Sequence, residues 1–161
     1  MNRRSILCIA AIAAFVLAAS LPQVAFAQGD LMTGSWTLNL AKSKYSPGPP
    51  PKSGIFKFEG DGQNKKNTTQ GIDAEGKPTG SVFLHIYDGK FHPTTGSAVF
   101  DASAYTRVDA YTVIVTRTKA GSVVQIASQV VSRDGKELTV STRGVGVGGQ
   151  PINNVAVYDK Q

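Results

Sequence analysis

Short runs in which apolar and polar residues alternate one by one, cut apart by tight-turn dipeptides, constrain this chain more than any other feature. Trp36, Leu38 and Leu40 alternate with Thr37 and Asn39, and Phe56 and Phe58 with Lys57 and Glu59. Val82, Leu84 and Ile86 fall on one side of a third run, with Phe83, His85 and Tyr87 on the other. Tyr111 to Thr118 and Val123 to Val131 are rich in β-branched residues, and Leu138 with Val140, then Val155 with Val157, continue the series. A period of two sends successive side chains to opposite faces, the pattern of a half-buried strand. Asp61-Gly62, Asp88-Gly89, Lys119-Ala120-Gly121 and Asp134-Gly135 stand between the runs. Such residues tolerate the positive φ angles of tight hairpins. No stretch repeats with a helical period, and a turn of helix around Ala41 to Lys44 is the most the pattern allows.

Strands this short and joined this tightly predict an all-β fold. The expected form is an antiparallel up-and-down meander of about eight to ten strands, closing into a barrel. Ser46-Pro47-Gly48-Pro49-Pro50-Pro51-Lys52 interrupts the pattern. Proline lacks a backbone donor and fixes φ, so this segment reads as a connector. A weak echo at a spacing of 73 residues pairs Gly71, Gly76, Pro78 and Val82 with Gly144, Gly149, Pro151 and Val155.

Residues 1–27 have the build of a secretory signal. Arg3 and Arg4 open it, an uncharged apolar run extends from Ile6 to Ala19, and Ala25-Phe26-Ala27 offers a cleavage site. The apolar run is shorter than the roughly 20 residues a membrane-spanning helix needs. Cleavage after Ala27 is therefore expected, with export to the periplasm or beyond and no stable membrane insertion afterwards. Residues 28–161 then have the size of one domain. Cys8, the only cysteine, leaves with the leader. The mature domain must fold without a disulfide, and thiol catalysis and thiolate metal sites are excluded.

The formal net charge of +6 includes Arg3 and Arg4. The remaining lysines are scattered, with Lys65-Lys66 the only adjacent basic pair. Nucleic-acid surfaces cluster their basic residues with aromatics among them, so no nucleic-acid partner is expected. Gly144-Val145-Gly146-Val147-Gly148-Gly149 fits the dinucleotide-binding glycine pattern in form. That motif requires a following helix to hold the pyrophosphate, and Pro151 with a final strand follows instead. No cofactor is expected.

His85 and His92 lie seven apart without an evident third ligand, a weak case for metal. His92, between a turn and Pro93, is expected in a loop. No Gly-x-Ser-x-Gly elbow is present. Asp73 and Glu75, between Gly71 and Gly76, read as solvated carboxylates without the separated pKa values that acid–base work needs. Nothing in the sequence supports an enzyme.

Gly34-Ser35-Trp36 resembles the Gly-x-Trp motif of lipocalin-like, or calycin-type, β-barrels, in which the Trp closes one end of the barrel. Gly34 to Asn39 running into Lys42-Ser43-Lys44, Tyr87-Asp88-Gly89-Lys90, and Asn153-Asn154-Val155 to Lys160 together resemble a family of small exported bacterial proteins. Lipocalins commonly stack an arginine near the C-terminal end on that Trp; here only Lys160 lies in the last strand. The resemblance implies a barrel with a ligand cavity and brings no catalytic residue.

A barrel of this size either fills its interior or holds one small ligand. The leading expectation is non-catalytic binding of a small apolar or amphipathic molecule by Phe56, Phe58, Phe83, His85, Tyr87, Val113 and Val115. The alternative is an envelope protein-interaction module, an inhibitor or assembly factor, with a filled core and working loops at 46–53 and 144–151.

Overall fold

A computed structural model describes residues 29–60 and 65–161. The expected leader over residues 1–27 and the Asp61-Gly62 turn lie outside the described residues. The regular elements are strands: β1 (Gly34–Lys44), β2 (Ser53–Glu59), β3 (Lys65–Ile72), β4 (Pro78–His85), β5 (His92–Thr95), β6 (Ala102–Arg107), β7 (Thr112–Lys119), β8 (Ser122–Val131), β9 (Glu137–Val145) and β10 (Pro151–Lys160). Each pairs antiparallel with the next in sequence, and β10 returns to β1, so the sheet closes into a barrel of simple up-and-down order. This is the closed, antiparallel all-β barrel that the alternation predicts.

Local chemistry explains the joints. The β7–β8 hairpin turns on Ala120 and Gly121 alone, with φ of 49° and 79°. Positive φ at both positions is the two-residue geometry that matches strand twist. Residues 41–44 do not form the expected helical turn. They remain in β1 as a bulge, where the register against β10 jumps from Asn39↔Val157 to Lys44↔Val155. The Ser43 hydroxyl donates to the Asn39 carbonyl at 2.6 Å and accepts from the Val157 N–H at 2.9 Å. A side chain thus takes over where the ladder breaks. His92 is also placed differently from expectation: it opens the four-residue strand β5 rather than lying in a loop.

The end of the barrel where the odd-numbered strands begin is closed. Residues 29–33 fold across it, burying Met32 beside Trp36, and the Trp36 indole N–H donates to the Met32 carbonyl at 2.8 Å. Lys160, the one lysine of the last strand, brings its ammonium to 4.9 Å from the centre of the Trp36 ring. Trp36, Phe58, Tyr105, Val113, Val131 and Leu138 fill this half of the interior.

Two glycines are required by close approach within the wall. A Cβ at Gly71 would lie 2.5 Å from the Ser53 carbonyl oxygen, and one at Gly144 only 2.1 Å from that of Val124. Gly144 also has φ of +137°. These are partners in the 73-residue echo, and both sit where the backbone of the adjacent strand comes too close for a Cβ.

Opposite effects are expected at two positions. Gly144→Ala should lower unfolding free energy by more than about 1 kcal/mol, since it adds both strain and a clash. Ala120→Asn should raise it by up to about 1 kcal/mol by relieving a left-handed alanine. Urea denaturation midpoints check both.

Candidate functional site

The opposite end is formed by the loops at 45–52, 73–77, 96–101, 120–121 and 146–150. Beneath them lies a cavity of 590 Å³, lined among others by Phe56, Thr69, Ser81, Phe83, Phe100 and Arg117. Small-molecule sites typically span about 300–1,000 Å³. An adjoining hollow of 570 Å³ shares Val99 and Val147 with it and is bordered by the proline-rich loop and the glycine-rich loop. The proline-rich loop is tied to β10: the Asn153 N–H donates to the Ser46 carbonyl at 2.7 Å, and the Ser46 N–H to Asn154 Oδ1 at 2.9 Å. A larger hollow of 740 Å³ is a groove on the solvent side of the wall, lined by outward residues such as Ile114, Ile126, Ser128 and Ser141. It is separate from the lumen.

Deeper in, the barrel departs from an apolar core. Asn67, His85, Tyr105 and Gln129 have 0% exposure. The side-chain amide atoms of Asn67 and Gln129, both ring nitrogens of His85, the Tyr105 hydroxyl and Arg117 Nε have no hydrogen-bond partner among the described residues. An unmade buried hydrogen bond costs about 1–3 kcal/mol, so such groups normally face a partner. They come from β3, β4, β6, β7 and β8, and the alternation of those strands turns them into the lumen.

His85 is set among rings, with centroids 4.2 Å from Tyr105, 4.7 Å from Tyr87 and 5.1 Å from Phe58. Burial pushes its pKa down to about 3, although the Asp30 carboxylate pulls the other way. The imidazole is therefore neutral at pH 7, with one nitrogen able to donate and the other to accept.

The closed end carries charge as well. Asp30, in the segment folded across the barrel, accepts through Oδ2 from Lys65 Nζ, from the Tyr87 hydroxyl at 2.5 Å and from Arg107 Nη2 at 2.6 Å. Its Oδ1 accepts the Met32 N–H at 3.0 Å. Burial alone would raise the Asp30 carboxyl, but hydrogen bonds from Lys65, Tyr87, Arg107 and Met32 outweigh it and hold the group well below the usual carboxylate range. Burial, with Asp30 as acceptor, likewise keeps the Tyr87 phenol protonated.

Of the residues singled out by alternation, Phe56 and Phe83 line the 590 Å³ cavity. Phe58, His85, Val113 and Val115 are buried in the interior, and Tyr87 is half-buried with its hydroxyl committed to Asp30. Arg117, Gln125, Asn67 and Gln129 were not anticipated. The signal for Arg117 was present, because it follows Val113 and Val115 at the same period of two. Asp73 accepts from the Lys77 N–H at 2.7 Å within its own turn, and His92 lies 3.0 Å from Asp88. No three His, Cys, Asp or Glu side chains converge among the described residues, so none is grouped to hold a metal.

No known family model matches the chain, and no curated protein matches it either. Among solved structures it is similar to the zebrafish ileal bile acid-binding protein complexed with cholic acid. The identity is 13%, the TM-score 0.49, and the match covers 81% of this chain and 99% of that one. A likeness at this level extends neither to a ligand nor to a site.

His85 and Asp30 give the barrel an acid limb in two windows. A histidine whose folded pKa lies below its ordinary 6.5 takes up its proton more readily when unfolded, so stability falls as pH drops from about 6.5 towards 3. Asp30, with its folded pKa depressed, contributes stability above its ordinary value of 3.8 that is lost as pH falls below it. Urea unfolding between pH 7.5 and 4.5 should show a decline on the order of a few kcal/mol that His85→Gln largely removes. An unchanged slope in the variant would assign the decline to other groups.

Proposed function

We propose that this chain is an exported, non-catalytic binding protein that holds one small amphipathic molecule in the barrel. The observation that carries this reading is the set of buried lumen side chains whose polar atoms lack a hydrogen-bond partner among the described residues. A core built only for stability pairs or replaces such groups, because unpaired they oppose folding. A ligand with an apolar body and polar substituents satisfies them, and the rings of Phe56, Phe83 and Phe100 at the mouth suit the apolar part. Export rests on the leader read in residues 1–27, which supports a periplasmic or secreted location.

The alternative, a protein-interaction module, draws support from the 46–51 and 146–150 loops, which border one hollow at the same mouth. The two readings part at Ser81, which faces the cavity and belongs to β4 rather than to either loop. Native mass spectrometry of the protein purified without denaturant should show an added mass that is lost on denaturation and absent in Ser81→Phe. A bare mass in the unaltered protein, together with a partner protein captured equally by Ser81→Phe, would favour the interaction module.

A further inference from the structure

The two ends of the barrel treat buried cations in opposite ways. At the closed end Lys65 and Arg107 share the Asp30 carboxylate. Near the mouth Arg117, only 7% exposed, has no carboxylate partner among the described residues. Its neighbours are neutral. Nη1 donates to Gln125 Oε1 at 2.9 Å, and the guanidinium lies 4.8 Å from the centre of the Phe100 ring. The phenols of Tyr105 and Tyr158 are near enough to act on it electrostatically, but burial raises both and keeps them uncharged. Removing one partner of a buried ion pair is strongly destabilising because a charge is left uncompensated. An arginine placed this way is a cation awaiting an anion.

The surroundings are built to present it. Gln125 donates through Nε2 to the Val145 carbonyl at 2.7 Å, which fixes the amide with its oxygen towards Arg117. Arg117 Nε and the Tyr105 hydroxyl are both buried without a partner among the described residues, leaving two unused donors on neighbouring side chains. Arg117 also borders the cavity that Phe56, Phe83 and Phe100 line. A planar guanidinium matches a carboxylate geometrically, with two parallel N–H donors for two oxygens.

We propose that Arg117, assisted by the Tyr105 hydroxyl, holds the carboxylate of an anionic amphiphile whose apolar body occupies the cavity beneath the mouth loops. This inference rests on the binding function proposed above and narrows its ligand to one charge class. Gln125 is a positioning residue. Phe100, stacked on the guanidinium, fastens the 96–101 loop to the site.

The test is a comparison of head groups on one tail, by titration calorimetry of the intact purified protein with dodecanoate and 1-dodecanol below their aggregation limits. Dodecanoate should bind roughly tenfold tighter or more, the range for hydrogen bonds to charged groups. Arg117→Gln should bring dodecanoate to the affinity of dodecanol and leave dodecanol unchanged, and Tyr105→Phe should weaken dodecanoate alone.

Equal affinity of the unaltered protein for both probes would overturn the anionic assignment while leaving lumen binding standing. A dodecanoate preference that survives Arg117→Gln would place the anion site elsewhere and overturn the assignment to Arg117. Equal weakening of both probes in Arg117→Gln would give the residue a structural role only. Failure of both probes to bind the unaltered protein would remove the inference together with the reading beneath it. The head-group comparison needs no variant, so it tests the anionic assignment even where Arg117→Gln does not fold, and Tyr105→Phe then tests its position.

Discussion

Pairing β1 with β10 is the constraint on which everything else depends. Closure removes the sheet edges and creates an interior that the inward half of each strand must fill. Eight strands leave a space just wide enough for side chains, and ten strands enclose more. The chain fills the closed half with Trp36, Phe58, Tyr105 and Leu138 and seals it with residues 29–33. Towards the mouth the inward residues become smaller or polar, as at Thr69, Ser81, Arg117 and Gln125, and the cavity opens there. A rigid, packed base supporting an open end suits ligand binding better than a uniform core would.

Electrostatics follow the same division. Asp30 neutralises the cations at the base, and in doing so ties the segment before β1 to β3, to β6 and to Tyr87 beyond β4. The charge there does structural work. Arg117 is also buried but has no acidic partner among the described residues, and is held by an amide and a ring. Polar atoms of Asn67, His85, Tyr105 and Gln129 extend that unsatisfied character into the lumen.

The architecture was largely legible because alternation and tight-turn dipeptides are local signals. The runs around Trp36, Phe56, Phe83, Val113, Val123, Leu138 and Val155 all became strands. No apolar period marks β3, because its inward residues, Lys65, Asn67, Thr69 and Gly71, are polar or small; only the 73-residue echo with β9 points to a strand there. β5 and β6 were hidden by brevity and by serine and threonine. β8 reads backwards: Gln125 and Gln129 are buried while Ile126 and Val130 face out. Polar residues on an inward face obscure the strand and mark the lumen at once, which is why the site was harder to read than the barrel. Phe56 and Phe83 were identifiable from their period. Asp30 was not, since it precedes the first alternating run and its partners are brought to it only by closure.

The central claim is that the lumen is built around a ligand rather than around its own side chains. A crystal structure of the protein purified without denaturant, at a resolution that shows ordered solvent, tests it most directly. The account predicts an elongated molecule beneath the mouth loops, with an oxygen pair on Arg117 and its apolar body against Phe56 and Phe83. A lumen closed by side chains, with Arg117 paired to a carboxylate of the chain itself, would contradict it.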